Sequence, residues 1–407
     1  MKKLFVLFVV LTLIVGATIS ISAVELYSDK ADDSEPFDKI SNSINNDIGI
    51  RLEFVGYPSV ASYKTAVQQS LDQSNSPGLF TWWSGYRLKD LAESGRIIDL
   101  SDEWDNYYSE MGVNPSLADA FKFNGKVYGA PLSVLYSGMF YNKDVFSKYD
   151  LAIPNTFDDF LSLCETLKSK GITPIGVKSD PWASFLWFQA LIGSFDPDLY
   201  TDLTSGEVSY TDEEMVEVMK VWQRMLEKGY FGEPQDYVTV GKQFAKGDVA
   251  MVYEATLFTI PLENDYGMIA EDNYSIFTLP SMKTNNNAVI FYETSPIVVS
   301  ASSSQKDEAI KVLREFYKIE NQQIYSDHTN AGFVEGVKIE NKTSKKITEM
   351  ANSGDYLLNL RYYEATPSSI VDTATNSLWE FFYTPSDSVI KDTLNTIQDE
   401  AEKSFSK

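Results

Sequence analysis

The chain has 407 residues, of which 14% are aromatic, and a formal net charge of −24. A chain of this length can bury the cores of two or three domains without crosslinks. Because no basic stripe is present to neutralise phosphates, the composition excludes nucleic acid as an expected partner.

The first 23 residues have the pattern of a secretory signal peptide. Lys2 and Lys3 precede an apolar run at 4–14, and small residues at 15–17 or 21–23 offer a cleavage site. The apolar run is shorter than the roughly 20 residues that a membrane span needs. We therefore expect export, to the periplasm or to the outer face of the cytoplasmic membrane, with an uncleaved membrane anchor as the alternative.

The residues that follow alternate between strand and helix patterns. Strands are predicted at 24–27 and 50–55, and a third apolar run ends in Trp82 and Trp83. Apolar residues at helical spacing fill the intervals, as at 60–71. This alternation predicts an α/β fold in which helices pack on a parallel sheet.

The middle of the chain predicts a crossing strand followed by a capped helix. The segment 126–146 reads as two β-rich runs that break at Pro131 and Leu132, which we interpret as a passage between two lobes. Thr156 and Asp159 have the spacing of a capping box at a helix N-terminus.

The second half continues with mixed elements. A helix with Trp222 on its apolar face is predicted to be capped by Thr211 and Glu214 and to end at Gly229. After a turn, a buried strand leads into an exposed-looking Glu254. The remaining predicted elements are strands at 274–279 and 290–300, a helix capped by Ser304 and Asp307, and a last helix with Ile390, Leu394, Ile397 and Ala401 on one face.

Residues for metal or nucleophile chemistry are few. His328 is the only histidine, and Cys164, the only cysteine, lies on the apolar face of a predicted helix. We therefore expect no metal site, no disulfide and no catalytic cysteine. No phosphate loop, dinucleotide fingerprint or G-x-S-x-G motif occurs, so no cofactor and no serine triad are expected. A pair of carboxylates that cleaves glycosides stays open as an alternative.

Aromatic and polar side chains recur together at the predicted strand ends. Rings can cover the apolar C–H faces of a sugar, while carboxylates and amides hydrogen-bond its hydroxyls. Packing of the rings and simple solvation of Glu254 and Glu293 are the alternatives. The candidate ligand residues are Asp29, Lys30, Trp83, Arg87, Tyr136, Asp180, Trp182, Glu254, Tyr292 and Glu293.

Five segments carry a family resemblance that covers essentially the whole mature chain. They are LFTWWSGYRLKDLAESGRIIDL at 79–100, VYGAPLSVLYSGMFYNKDVF at 127–146, TFDDFLSLCETLKSKGITPI at 156–175, FAKGDVAMVYE at 244–254 and IVVSASSSQKDEAIKVLREF at 297–316. In this order they resemble the extracellular solute-binding proteins of ABC importers, in particular the sugar-binding family that includes maltose-binding protein.

The resemblance implies a two-lobed periplasmic-binding-protein-like fold, each lobe a mixed, mostly parallel sheet flanked by helices. Residues 24–131 and 288–333 would form lobe 1, and residues 132–287 and 334–407 would form lobe 2. The strand crossovers would lie near residue 131 and at 283–290, with a ligand cleft between lobes that close about a hinge. The expected partners are a small-molecule carbohydrate and the membrane subunits of an ABC permease, and the expected state is a monomer.

The resemblance also assigns residues at the first and third strand ends. The first would offer Asp29 and Lys30, and the third would offer a stacking ring, Trp83, followed by Arg87. Because successive side chains of a strand alternate, Trp82 would then belong to the core.

The chain departs from the family pattern at two places. Leu257 stands where relatives often have a stacking tryptophan, and Leu135 and Tyr136 stand where some have an acidic residue. The geometry of ligand contact is therefore expected to differ from theirs.

The expected function is capture of a carbohydrate, an oligosaccharide by preference, for delivery to an ABC importer, without enzymatic activity. Two alternatives remain open. The same fold could bind a cationic or other small solute, because aromatic boxes with carboxylates such as Asp29, Asp180, Glu254 and Glu293 also hold cations. The other is a secreted glycosidase that uses paired carboxylates.

Overall fold

The structure is a computed structural model, and it describes residues 22–283 and 287–406. The predicted signal peptide lies outside the described residues, except that Ser22 and Ala23 begin the first strand. In the described part of the chain, no helix is both long enough and apolar enough to cross a membrane.

The described strands fall into a large sheet and a small hairpin. They are β1 (Ser22–Ser28), β2 (Ile50–Gly56), β3 (Leu79–Thr81), β4 (Lys122–Phe123), β5 (Lys126–Val127), β6 (Ala130–Asn142), β7 (Thr173–Gly176), β8 (Val249–Ala255), β9 (Tyr274–Phe277), β10 (Val289–Val299) and β11 (Leu357–Leu360).

Helices surround the large sheet. They are α1 (Ser34–Ile48), α2 (Val60–Ser70), α3 (Tyr86–Glu93), α4 (Ser101–Glu103), α5 (Lys143–Lys148), α6 (Phe157–Ser169), α7 (Trp182–Phe195), α8 (Pro197–Ser205), α9 (Glu213–Glu227), α10 (Tyr237–Lys246), α11 (Thr259–Asn264), α12 (Lys306–Phe316), α13 (Ile319–Thr329), α14 (Lys342–Asn352), α15 (Tyr362–Ala365), α16 (Ser368–Tyr383) and α17 (Asp387–Phe405). Short 3-10 turns lie at Ala31–Asp33, Pro115–Phe121 and Thr256–Phe258, and a π turn lies at Trp104–Tyr108.

The large sheet has nine strands and mixed direction. Its order is β2-β1-β3-β10-β6-β8-β7, with β11 paired to β10 and β9 paired to β6. The pairs β1–β2, β1–β3, β7–β8 and β10–β11 are parallel, whereas β3–β10, β6–β10, β6–β8 and β6–β9 are antiparallel. The fold is therefore mixed α/β, as the sequence predicts, and a mixed sheet surrounded by helices is consistent with the two-lobed architecture that the family resemblance implies.

Strand β6 connects the two halves of this sheet. It pairs with β10 at 130–137 and with β8 and β9 at 137–142. The predicted break at Pro131 and Leu132 is a bulge and not the end of a strand: β6 continues through both residues, but its register with β10 shifts by one residue at Leu132. Pro131 faces Pro296 of β10 at a point where the register shifts, so each proline opposes a residue that also has no N–H to donate.

The helix caps confirm one sequence prediction and correct two others. Thr156 Oγ1 accepts the Asp159 N–H at 3.1 Å, and Asp159 Oδ2 accepts the Thr156 N–H at 3.0 Å, so the capping box of α6 is present. The α9 cap is Asp212, whose side chain accepts the Glu214 N–H at 2.9 Å, and not Thr211.

The predicted cap of α12 is wrong as well. This helix begins at Lys306 after Gln305, which makes no side-chain cap bond. Ser303, and not Ser304, accepts the N–H of Gln305, at 3.2 Å.

The buried faces of the helices agree with their apolar periodicity. Trp222 and Cys164 are fully buried, as the sequence predicts. Burial, with a smaller contribution from the neighbouring Glu165, raises the pKa of the Cys164 thiol far above its ordinary value. On α17, Ile390, Leu394 and Ile397 are buried on one face, also as predicted.

Candidate functional site

The ends of β1 and β3 bring the first group of predicted residues together. The two strands are parallel, with Tyr27 opposite Phe80, so their carboxyl ends lie side by side. Asp29 follows β1, and its Oδ1 accepts a hydrogen bond from Thr81 Oγ1 at 3.1 Å. Lys30 Nζ lies 3.4 Å from the same oxygen. The carboxylate is therefore already neutralised and oriented.

The two adjacent tryptophans lie just beyond β3, which ends at Thr81. Both are 8% exposed, and their rings meet edge to face with centroids 5.0 Å apart. Trp82 donates its Nε1–H to the Arg87 carbonyl at 3.1 Å, whereas Trp83 lies under Lys64 Nζ at 4.8 Å from the ring centroid. Strand alternation does not separate the two rings, so the ligand-facing role of Trp83 stays a prediction.

Arg87 reaches a C-terminal segment that lies far away in sequence. Its Nη1 donates to the Tyr363 carbonyl at 2.5 Å, and its guanidinium carbon lies 3.6 Å from the Tyr363 ring centroid. Gly85, with φ of 63°, precedes α3, and a Cβ on it would overlap the Glu364 carbonyl oxygen. The turn before α3 and the α15 segment are therefore in close contact.

The α15 segment carries an ion cluster that includes the predicted Glu293. Arg361 forms a salt bridge with Glu293 and donates to both carboxylate oxygens of Glu364, at 2.9 Å and 2.6 Å. Burial alone would lower the pKa of Arg361, but Glu293 and Glu364 outweigh it and the net shift is upward. Trp182, another predicted residue, packs edge to face on Tyr363 at 4.5 Å between centroids. Glu293 is therefore paired and not simply solvated.

Lys178 holds the carboxylates at the ends of β7 and β8. These strands are parallel neighbours, so Lys178, just after β7, lies beside Glu254 near the end of β8. Its Nζ is 2.5 Å from Glu254 Oε2 and 3.3 Å from Asp180 Oδ2. Asp180 Oδ1 also accepts the Trp182 N–H at 3.0 Å. Glu254 is only 8% exposed, so its predicted exposure is wrong: the ion pair covers it.

Tyr136 and Tyr292 face each other across β6 and β10. Burial, and then the neighbouring Tyr292, raises the pKa of Tyr136 to about 12. Burial, followed by the charges of Asp119 and Glu364, raises the pKa of Tyr292 to about 12. Both phenols are therefore neutral hydrogen-bonding groups at physiological pH.

Contacts link most of the ten predicted residues into one region, together with residues that the sequence did not single out. The residues missed are Lys64, Lys178, Tyr237, Arg361, Tyr363 and Glu364. Directly after β11, the motif Arg361-Tyr362-Tyr363-Glu364 has a charged residue on each side of two tyrosines. This pattern could have revealed the α15 segment as part of the candidate site. Lys178 offered no local signal except its place two residues before Asp180.

Tyr237 lies beside Lys178, and Leu257 follows strand β8, which carries Glu254. Leu257, which replaces an expected tryptophan, is 37% exposed, and so is Tyr237. The Tyr237 ring lies 5.2 Å from Lys178 Nζ and packs on Phe258 with centroids 5.9 Å apart. An exposed ring is therefore present beside Lys178 even though residue 257 does not supply one.

Two other features bear on the location of a site. Among residues 22–283 and 287–406, no group of three or more His, Cys, Asp or Glu side chains is placed to hold a metal ion. A cavity of about 920 Å³ lies elsewhere, with Phe157, Arg224 and Met282 among its lining residues. None of the ten predicted residues lines it, and no residue before Ile153 does. It is therefore separate from the strand ends described above.

Comparisons with known proteins agree with this architecture. An uncharacterized ABC transporter extracellular-binding protein of Pyrococcus horikoshii is 26% identical over 288 residues, which are 68% of this chain and 63% of that protein. The melibiose/raffinose/stachyose-binding protein MelE of Bacillus subtilis is 27% identical over 186 residues, which are 42% of this chain and 41% of that protein. The chain thus matches less than two thirds of the length of either relative.

Solved structures share the fold over nearly the whole chain. The bacterial solute receptor AcbH, described with an exclusive preference for β-D-galactopyranose, superposes with a TM-score of 0.81 at 18% identity. The superposition covers 95% of this chain and all of that one. The family model for bacterial extracellular solute-binding proteins matches residues 30–323. The chain therefore belongs to the bacterial extracellular solute-binding protein family.

Proposed function

We propose that this protein captures a carbohydrate, an oligosaccharide by preference, outside the cytoplasm and delivers it to an ABC importer. The observation that carries the proposal is the meeting of aromatic rings and hydrogen-bonding ion pairs at the strand ends. Trp83, Trp182 and Tyr237 supply rings, and the Lys178 and Arg361 clusters supply polar groups. Rings for C–H faces and fixed polar groups for hydroxyls are what a sugar requires.

The site that we propose lies between two lobes with the boundaries predicted from the sequence. Contact between Arg87 and Tyr363 supports this arrangement, since it brings a residue of proposed lobe 1 against a segment of proposed lobe 2. The relatives support the ligand class, because MelE is named for melibiose, raffinose and stachyose and AcbH is described for galactopyranose.

The proposal extends to compartment, partner and activity. The family model names extracellular proteins, and one relative is an ABC transporter binding protein. We therefore propose export to the periplasm or to the outer face of the cytoplasmic membrane, action as a monomer, and contact with permease membrane subunits. We also propose that the chain has no glycosidase activity, so incubation with chromogenic glycosides should give no turnover.

Titration calorimetry with galactose, melibiose, raffinose, stachyose and chitin oligosaccharides tests the ligand class. We expect the wild-type protein to bind at least one of these sugars. Trp83→Ala should weaken that binding by about 1 to 3 kcal/mol, because truncation of a buried aromatic contact removes its stacking area.

Trp379→Ala is the matched control, since Trp379 stacks on Tyr383 of α16 and touches none of the predicted residues. It should leave the affinity unchanged. A wild-type protein that binds no sugar would contradict the proposed ligand class. Unchanged affinity in a folded Trp83→Ala variant would contradict the role of Trp83.

A further inference from the structure

The carboxylates of the candidate site are already matched by cations of the same chain. Asp29 pairs with Lys30, Asp180 and Glu254 with Lys178, and Glu293 and Glu364 with Arg361. Lys64 and Arg87 add two further positive charges beside Trp83 and Tyr363. Five cations thus stand against five carboxylates in a chain whose net charge is −24. These ten side chains balance one another in charge, unlike the chain as a whole.

Lys178 is held in place by both its backbone and its side chain. Its backbone is fixed because the Ser179 N–H donates to the Gln235 carbonyl at 2.8 Å and the Gln235 N–H donates to the Val177 carbonyl at 3.0 Å. Its side chain is largely buried and contacts two carboxylates at once. Burial by itself would lower the pKa of Lys178, but Glu254 and Asp180 outweigh it, and the raised pKa keeps the ammonium charged.

The two carboxylates would attract a cation if Lys178 were neutral. Backbone N–H groups hold both carboxylates in place. The Ala255 N–H donates to Glu254 Oε1 at 2.9 Å, and the Trp182 N–H donates to Asp180 Oδ1 at 3.0 Å. With the Tyr237 ring beside them, they would form a carboxylate and aromatic pocket of the kind that binds ammonium groups. Lys178 occupies that position with its own ammonium group, 5.2 Å from the ring centroid.

We infer that Lys178 is a specificity-determining residue, an internal counter-ion that cancels one of the two carboxylate charges in the wall formed by Glu254, Asp180 and Tyr237 and so shifts its preference from cationic towards neutral polyhydroxylated ligands. This inference rests on the proposed carbohydrate-binding function. A neutral hydroxyl can still hydrogen-bond to the Asp180 carboxylate, whose side chain is 32% exposed, whereas a cation meets a carboxylate pair of which one charge is already cancelled by the ammonium group. The alternative of a cationic solute is disfavoured for the same reason.

A series of charge variants tests the inference. The wild-type cluster has one cation against two carboxylates, a net charge of −1. Lys178→Met makes it −2, Glu254→Gln makes it 0, and the double variant Lys178→Met/Glu254→Gln returns it to −1. For each variant, calorimetry measures the affinity for galactose and for galactosamine at a pH where the amine is protonated, and the affinity for spermidine.

The ratio of galactose to galactosamine affinity should follow the cluster charge. We expect Lys178→Met to lower it about tenfold, Glu254→Gln to raise it about tenfold, and the double variant to restore the wild-type value, because a nearby charge acts on charged ligands selectively. Lys318→Met is the matched control, since Lys318 also bridges two carboxylates, at 2.8 Å and 2.5 Å, and contacts none of the site residues. It should leave the ratio unchanged.

The outcomes separate the inference from the proposed function. Folded variants whose ratio does not follow the order of cluster charge would overturn the inference while leaving sugar binding in place. Glu254→Gln keeps the shape of the side chain, so it tests the same order even if Lys178→Met does not fold. If no sugar binds, the proposed function fails. In that case the affinity for spermidine decides. A higher spermidine affinity in Lys178→Met alone supports the inference, whereas tight spermidine binding by the wild-type protein overturns it.

Discussion

His328, the only histidine of the chain, is held by a buried carboxylate. Its Nε2 lies 3.1 Å from Asp33 Oδ1, and Tyr325 donates its hydroxyl to Asp33 Oδ2 at 2.8 Å. The hydrogen bond to Asp33 raises the pKa of His328 above 6.5, against the opposing effect of partial burial. Asp33 therefore joins the turn that follows β1 to α13, through both His328 and Tyr325.

The raised pKa predicts how His328 contributes to stability. Because the folded-state pKa exceeds the unfolded value, the contribution is fully present below the unfolded pKa and is lost as the pH rises through the folded pKa. Proton NMR should show one imidazole that titrates above pH 6.5. Asp33→Asn should lower that midpoint.

Glu35→Gln serves as the control for this titration. Glu35 adds only a weaker charge effect on His328 and is exposed beside Lys39. We expect this variant to shift the midpoint much less than Asp33→Asn does. A wild-type midpoint at or below 6.5 would show that the Asp33 contact does not stabilise the protonated ring.

At the scale of elements, the start of α9 shows how one residue decides a cap. Asp212 accepts the Glu214 N–H, while the N–H of its neighbour Thr211 donates to Ser209 Oγ at 3.1 Å. The cap must have non-helical backbone angles and a side chain that reaches the first turn, and only Asp212 meets both conditions.

Urea denaturation of two variants checks this cap assignment. Asp212→Ala should lower the free energy of unfolding by about 1 kcal/mol, the usual cost of removing an N-cap side chain. Thr211→Ala should change it by less than about 0.5 kcal/mol, because Thr211 is an exposed residue outside the helix. The reverse order would mean that α9 begins one residue earlier.

Local sequence patterns predict most elements and the buried helix faces, and they fail where contacts are long-range. Cys164 and Trp222 follow from apolar spacing, because each helix buries the face that carries its own apolar side chains. Lys178 meets Glu254 only because β7 and β8 are neighbours in the sheet. Arg361 reaches Glu293 because its N–H bonds to the Tyr292 carbonyl of β10. No local pattern encodes these pairings.

Local patterns also mislead where a strand ends earlier than its apolar run suggests. Strand β3 stops at Thr81, so the alternation rule does not apply to the two tryptophans after it. Both of them end up equally buried. Strand β6 is a similar case, since the facing prolines Pro131 and Pro296 shift the register locally but do not end the strand.

At the scale of the whole molecule, the turn before α3 is in contact with a segment almost 280 residues further along. Arg87 binds the Tyr363 carbonyl, and Gly85 leaves room for the Glu364 backbone. The N-terminal strands and the C-terminal helices therefore share one packed boundary, and their positions depend on each other.

Gly85→Ala should disrupt the contact between the turn before α3 and the α15 segment. The new methyl group would overlap the Glu364 carbonyl and would also sit on a residue with positive φ, so we expect a loss of stability well above the roughly 1 to 2 kcal/mol that a positive φ alone costs. Gly95→Ala is the control, because Gly95 has φ of 70° but nothing within 4 Å of its Cβ position. It should cost roughly 1 to 2 kcal/mol for the backbone alone.

Thermal unfolding and small-angle X-ray scattering distinguish the two variants. Gly85→Ala should unfold at a lower temperature than Gly95→Ala and should have a larger radius of gyration than the wild type. Equal stability of the two variants would mean that the contact with Glu364 does not form in solution.

The buried Cys164 has a practical consequence for spectroscopy. The chain has no other cysteine, and this thiol is both inaccessible and difficult to ionise. Thiol reagents attack the thiolate, so the wild-type protein should be inert to maleimide dyes. A cysteine introduced on each side of the Arg87–Tyr363 boundary would therefore take up fluorophores selectively. Energy transfer between the two dyes would then report the distance across this boundary in single molecules against an unlabelled background.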